Sequence, residues 1–212
     1  MENLICQLIK INQSCCDNQS VKENMRPFLD KLEKMYWTEA TQYFNKREQY
    51  NQRLLNLAKD IKQMLEKLFQ SYQINAEIVP TASLNSGLNL IHDSDIDITI
   101  LVDDCTSVFQ EVETILLPVG FQYKGLTHGY YLFSHIHSAF VTVELEVKLR
   151  DRCSAQAVIR LHRLMDNLDE KDKIIITYGK LLFRQTPYYG IFKMLVYNMY
   201  FADIEGCYML KV

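Results

Sequence analysis

Three aspartates, Asp93, Asp95 and Asp97, occupy every second position of a run that continues Ile98-Thr99-Ile100-Leu101-Val102. Ile96, Ile98, Ile100 and Val102 share one parity, and the aspartates share the other with Thr99. A period of two predicts a strand over 94–102, buried on one face and acidic on the other. Residues i and i+2 lie on one side of a strand, about 6.7 Å apart. Like charges at that spacing repel. A divalent cation relieves the repulsion, because hard cations such as Mg²⁺ take carboxylate oxygens. A second acidic strand follows over Phe140–Arg150. There Val141, Val143, Leu145, Val147 and Leu149 face one way, while Thr142, Glu144, Glu146, Lys148 and Arg150 face the other. If the two acidic faces are neighbours in one sheet, Asp95, Asp97 and one of the two glutamates converge on a pair of metal ions about 3.5–4 Å apart. Such a pair activates an attacking hydroxyl and neutralises a triphosphate and its leaving pyrophosphate. The small, polar stretch Thr81-Ala82-Ser83-Leu84-Asn85-Ser86-Gly87-Leu88 precedes the acidic strand. Its backbone N–H groups and the Ser83 and Ser86 hydroxyls would hold phosphate oxygens at a helix N-terminus.

The elements that must position these residues follow from the pattern. Residues 1 to about 74 read as helical, with Leu54, Leu57, Ile61, Met64, Leu65 and Leu68 on one face. Pro27 is expected near the start of a helix that carries Leu29, Leu32, Tyr36 and Trp37. Ile74 to Val79 alternates and predicts a first strand that stops at Pro80. Thr106–Leu117 predicts a helix with Thr106 as its N-cap. Phe121–Phe133, aromatic and broken by Gly125 and Gly129, predicts a hairpin. Helices return at about 154–167, 171–185 and 188–204. The fold class is α+β: a palm-like mixed sheet of four or five strands, flanked by N-terminal and C-terminal helices. The organisation expected is an N-terminal helical region at 1–74, the sheet at 75–152, and a C-terminal helical region at 153–212 that packs against it. Strands and helices do not alternate regularly, which excludes a doubly wound parallel sheet.

The bulk numbers narrow the class. A chain of 212 residues, 48% apolar and 23% charged, has the composition of a globular protein. Its net charge of −3 supplies no global basic field for nucleic acid. Cys6, Cys15, Cys16, Cys105, Cys153 and Cys207 form no CxxC pair, so they read as reduced thiols in an intracellular protein, cytoplasmic or nuclear. The N-terminus lacks a secretory pattern, and no apolar run reaches the roughly 20 residues of a membrane span.

The wording Ala82-Ser83-Leu84-Asn85-Ser86-Gly87-Leu88 … Ser94-Asp95-Ile96-Asp97 resembles the DNA polymerase beta-like nucleotidyltransferase superfamily. Within it, the wording is most similar to the branch of poly(A) and poly(U) polymerases, the terminal nucleotidyltransferases. That branch shows a Gly-Ser turn, a small residue before Gly-Leu, then Ser-Asp-Ile-Asp. The resemblance covers residues 78–102 specifically and 140–150 more weakly. It implies that Ala82, Ser83, Ser86 and Gly87 form the nucleotide turn and that Asp95 and Asp97 bind the metals. Glu146 or Glu144 would be the third carboxylate. Spacing does not choose between them; the acid-x-x-x-Arg wording Glu146-Val147-Lys148-Leu149-Arg150 favours Glu146. Lys180 or Lys193, from the C-terminal helices, would meet the triphosphate, with a tyrosine stacked on the base. Two positions depart from the family. Ala82 stands where a glycine is expected, which weakens close approach to phosphate. The third acid is Glu, one methylene longer than the commoner Asp.

The function implied is transfer of a nucleoside monophosphate from NTP to an RNA 3′-OH, with Mg²⁺ or Mn²⁺ as the two-metal cofactor. A second reading transfers AMP to a protein or small molecule, suited to a short, mildly acidic chain. A third is an inactive nucleotidyltransferase that serves as a binding subunit, its N-terminal helices docking a protein partner. No membrane partner is expected.

Overall fold

A computed structural model describes residues 1–81, 84, 86–91, 95–135 and 144–204, without the side chains of Val158 and Phe201. The helices are α1 (Glu2–Ser14), α2 (Asn18–Ser71), α3 (Cys105–Leu116), α4 (Arg152–Asp166), α5 (Glu170–Phe183) and α6 (Tyr189–Phe201). The strands are β1 (Glu77–Thr81), β2 (Ile96–Val102), β3 (Phe121–Thr127), β4 (Tyr130–His135) and β5 (Leu145–Asp151). This is the α+β architecture expected: one mixed five-stranded sheet with helices before and after it. Two compact units divide the chain, residues 49–162 in one and residues 1–48 with 163–212 in the other.

The sheet unit is ordered β1-β2-β5-β4-β3. Only β2 and β5 run parallel; the other three pairings are antiparallel. The chain must therefore leave β2, form α3 and the β3–β4 hairpin, and return to lay β5 beside β2. Parity then does what the sequence demands. Ile96, Ile98, Ile100 and Val102 bury on one face with Val147, Leu149, Phe121 and Phe133. Val112, Ile115 and Leu116 of α3 and Leu54, Leu65 and Phe69 of α2 cover that face. Leu57, Ile61 and Leu68 also pack there, but Met64 points outward, 41% exposed. On the other face, Ala155 and Ile159 of α4 pack with Leu101 and Val79, at the far end of the β1–β2 pair.

Local chemistry adjusts four of the expected boundaries. Pro80 does not end the first strand but pairs with Ile98 inside β1. It is tolerated there because β1 is an edge strand, where a missing N–H need not break a ladder. Pro27 lies within α2 rather than at its start, and the non-helical residue of that helix is Tyr36 (φ −136°, ψ 17°). The N-cap of α3 is Asp104, not Thr106; its carboxylate accepts from the N–H groups of Thr106 (2.9 Å) and Ser107 (3.3 Å). The hairpin turns at His128 and Gly129, which take φ of 47° and 77°. Two positive φ values match the right-handed twist of the flanking strands, and glycine adopts one without strain. No helix among the described residues is long and apolar enough to cross a membrane.

The helical unit has its own core, with Leu4, Leu8, Met25, Leu32 and Leu195 all buried. Phe183 and Phe192 stack at 5.1 Å, and Phe28 lies 6.3 Å from Phe183. Arg26 pairs with Asp172 (2.7 Å), which also accepts from the Tyr200 hydroxyl (3.2 Å). Arg47 is fully buried, its guanidinium 4.1 Å over the Phe44 ring and paired with Glu48.

Gly179 meets this core directly. A Cβ there would stand 2.5 Å from Cζ of Phe192, a ring that is itself fully buried. Gly179→Ala should cost about 1–3 kcal/mol through overpacking. Gly190→Ala, where a Cβ meets nothing within 4 Å, should stabilise by about 0.4–1 kcal/mol. Urea unfolding of both variants checks the opposite signs.

Burial also orders the thiols: Cys6, Cys16 and Cys153 are exposed, while Cys15 and Cys105 are buried. Burial and the neighbouring Asp151 push the Cys105 thiol up to about 11. Alkylation at pH 8, read by mass spectrometry, should label Cys6, Cys16 and Cys153 well before Cys15 and Cys105; Cys207 lies outside the described residues.

Candidate active site

The parallel register of β2 and β5 sets Asp97 opposite Glu146, Thr99 opposite Lys148 and Leu101 opposite Arg150. Thr81 of β1 faces Asp97, and Ser134 of β4 faces Glu146. The polar faces of two strands far apart in sequence thus become one surface. Asp97 is 9% exposed and Thr99 5%, so the acidic side of β2 is nearly as buried as its apolar side. Thr81 and Thr99 satisfy one another through a hydroxyl contact of 3.1 Å.

Facing residues on neighbouring strands stand about 4.8 Å apart. Two ionised carboxylates at that distance repel by roughly 3 kcal/mol at an effective dielectric of about 20. The chain answers with Lys148. Its ammonium pairs with Asp97 and lies 3.3 Å from Oε2 of Glu146. Burial alone would depress the lysine, but Asp97 and then Glu146 outweigh it and hold the ammonium above its ordinary value. Glu146 is pushed up, by burial first; Lys148 opposes the shift and Asp97 adds to it. Arg150, on the same face, lies 4.7 Å over the Tyr130 ring, and its buried Nε has no hydrogen-bond partner among the described residues. His162 of α4 completes the surroundings. Burial lowers it below the usual histidine range, and the charges of Asp97, Lys148 and Arg150 act on it.

The structure brings some of the expected residues together. Asp97 and Glu146 are juxtaposed, so Glu146 is the glutamate that faces the aspartate strand. Exposed Asp95 lies just before β2, and exposed Glu144 just before β5. There the Ile96 N–H donates to the Glu144 carbonyl at 2.8 Å. Ser86 is buried, and Gly87 takes a φ of 70°. Ala82, Ser83 and Asp93 lie outside the described residues. Lys180 and Lys193 belong to the other unit, where Lys180 is buried and Lys193 lies 5.3 Å over the Tyr189 ring. The sequence reading missed the roles of Lys148 and His162. For Lys148 the signal was present, since it shares the parity of Glu146 two positions on. For His162 there was none, because only the placement of α4 brings it near.

The donor chemistry of Asp97 and Glu146 suits a hard cation, yet the arrangement does not form a metal cage. The position between these carboxylates is taken by an ammonium, and no group of three or more His, Cys, Asp or Glu among the described residues is placed to hold a metal ion.

A mixed sheet with facing acids on its parallel pair, covered on one face by helices, is a fold this chain shares with several solved structures. Solved structures similar to it include the GLD-2/RNP-8 complex (TM-score 0.57, 14% identity, 86% of this chain and 60% of that one). A cytoplasmic RNA terminal U-transferase is similar at TM-score 0.54 and 19% identity, over 74% of this chain and 48% of that one. The Cid1 poly(U) polymerase, as an H336N mutant bound to MgATP, is similar at TM-score 0.50 and 20% identity, over 76% of this chain and 55% of that one. At these identities the likeness is one of fold, and the chain spans about half the length of the structures it matches. No family model and no curated protein matches it.

The ion pair at the centre of the site should be measurable as a coupling. A double-mutant cycle of Asp97→Asn and Lys148→Met, read by urea unfolding, should give an interaction of about 1–3 kcal/mol. A value within error of zero would show that the contact does not hold in solution.

Proposed function

We propose that this chain is a nucleotidyltransferase that adds nucleoside monophosphates from NTP to an RNA 3′ end. The observation that carries the reading is the juxtaposition of Asp97 and Glu146, with Asp95 at the strand entrance, on a polymerase beta-like sheet. Fold alone does not assign an activity; the acid pair at this place in the fold is what ties the two together. In the reaction, the RNA 3′-oxygen bonds to the α-phosphorus, the bond from that phosphorus to the bridging oxygen breaks, and pyrophosphate leaves. Similar structures support the substrate class, since they include an RNA terminal U-transferase and a poly(U) polymerase with MgATP. Mg²⁺ or Mn²⁺ remains the expected cofactor, subject to the displacement of Lys148 taken up below. The GLD-2/RNP-8 complex shows a similar structure working beside a second protein, which agrees with a protein partner for this chain.

One observation favours a second reading. The carboxylates already hold a cation of their own, and that suits a binding subunit without transfer activity.

The test is incubation with end-labelled RNA, each NTP in turn, and Mn²⁺, beside an Asp95→Ala/Asp97→Ala control. Extension by at least one NTP, lost in the control, is the expected outcome. Label from α-labelled ATP appearing on protein while RNA stays unextended would assign the acceptor to protein instead. No transfer to any acceptor would leave the binding-subunit reading.

A further inference from the structure

We propose that Lys148 is the resident cation of the carboxylate site and a built-in inhibitory contact. A divalent metal, or an NTP carrying one, gains Asp97 and Glu146 only when the Lys148 ammonium leaves. The inference rests on the nucleotidyl-transfer reading for the identity of the incoming ligand; the occupancy of the carboxylates by the lysine does not.

The geometry argues the case in three steps. The oxygens that Lys148 holds, Oδ1 of Asp97 and Oε2 of Glu146, belong to the two carboxylates that face each other across β2 and β5. A metal needs those same carboxylates, so ammonium and metal compete for one place. Register also places the lysine within reach of both acids. Lys148 sits one same-face step beyond Glu146 on β5, which turns its stem toward the pair, and the carboxylates draw the ammonium onto themselves. Finally, the lysine has a way out. Its side chain is 21% exposed; the Tyr130 ring, 5.9 Å from Nζ, is already faced by Arg150 at 4.7 Å, so the ammonium leaves toward water. The contact can therefore open without unfolding the strand.

Mn²⁺ binding to the full chain, followed by the electron paramagnetic resonance of the free ion, tests the proposal. Wild type should bind weakly. Lys148→Met should bind Mn²⁺ at least about tenfold tighter, within the usual range of coupling between competing ligands. Lys148→Gln gives a second neutral variant should the methionine form melt early by circular dichroism. Lys148→Arg keeps a cation and should stay close to wild type, while Asp97→Asn added to Lys148→Met should abolish the gain. Neutral variants that bind Mn²⁺ no tighter than wild type would overturn the proposal, as would an arginine variant that binds as tightly as they do. Weaker ATP binding in the neutral variants, without tighter Mn²⁺ binding, would also overturn it and would make Lys148 a phosphate contact. The RNA-extension assay reports separately. Tighter Mn²⁺ binding with no extension by any variant sinks the transfer reading and keeps this one; extension with unchanged Mn²⁺ binding does the reverse.

Discussion

Two carboxylates face each other across the parallel pair among the described strands, Asp97 nearly buried and Glu146 half-buried. Placing Asp97 there at 9% exposure is costly unless a positive charge stays close. The opposite faces of the same strands allow no escape, because Ile96, Ile98 and Ile100 on β2 and Val147 and Leu149 on β5 are locked into the core. A one-residue slip would expose that apolar set and bury the charged one. Register is thus dictated by the hydrophobic face, and the acid pair is its consequence on the polar face. Lys148 makes the consequence tolerable.

The rest of the unit keeps this surface polar without drowning it. One face of the sheet is sealed by α3 and the later part of α2, so its strands can be apolar there throughout. On the acidic face the apolar contacts of α4 lie at the far end, with Leu101 and Val79, and its His162 is buried near Asp97, Lys148 and Arg150. The end that carries Asp95, Glu144 and Glu146 is left with exposed or half-buried residues. Asp104 caps the helix that leads away from β2, and Asp151, at the end of β5, accepts from the Cys105 N–H at 2.6 Å. The start of the crossover that leaves β2 is thereby fixed by two carboxylates, one of them from the end of β5.

Much of this was legible in the sequence because parity is a local property. Alternation over 94–102 and 140–150 predicts both strands and both acidic faces, and the described residues carry them at 96–102 and 145–151. Which strands become neighbours is not local: it depends on the crossover through α3 and the hairpin, and that alone chose Glu146 as the partner of Asp97. Asp104 and Thr106 are both good N-cap residues, and only the extended backbone at Asp104 (φ −139°, ψ 103°) tells them apart. Proline at position 80 was read as a stop because nothing in the sequence marks β1 as an edge. Lys148 was placed on the acidic face by parity, yet its meaning appears only when a second strand brings Asp97 within its reach.

Fold and chemistry separate at this point. Every feature that gives this mixed sheet, namely the apolar parity, the crossover and the hairpin, is indifferent to whether the ion between the acids is a metal or an ammonium. Charge balance at the site is not indifferent. Two carboxylates and one ammonium leave a single net negative charge, a poor lure for a divalent cation beside an existing positive one. Removing the lysine doubles that net charge and frees the oxygens at once. The Lys148 side chain is 21% exposed and held by two ion pairs, so the charge at this place depends on one side chain that can move without disturbing the strands beneath it.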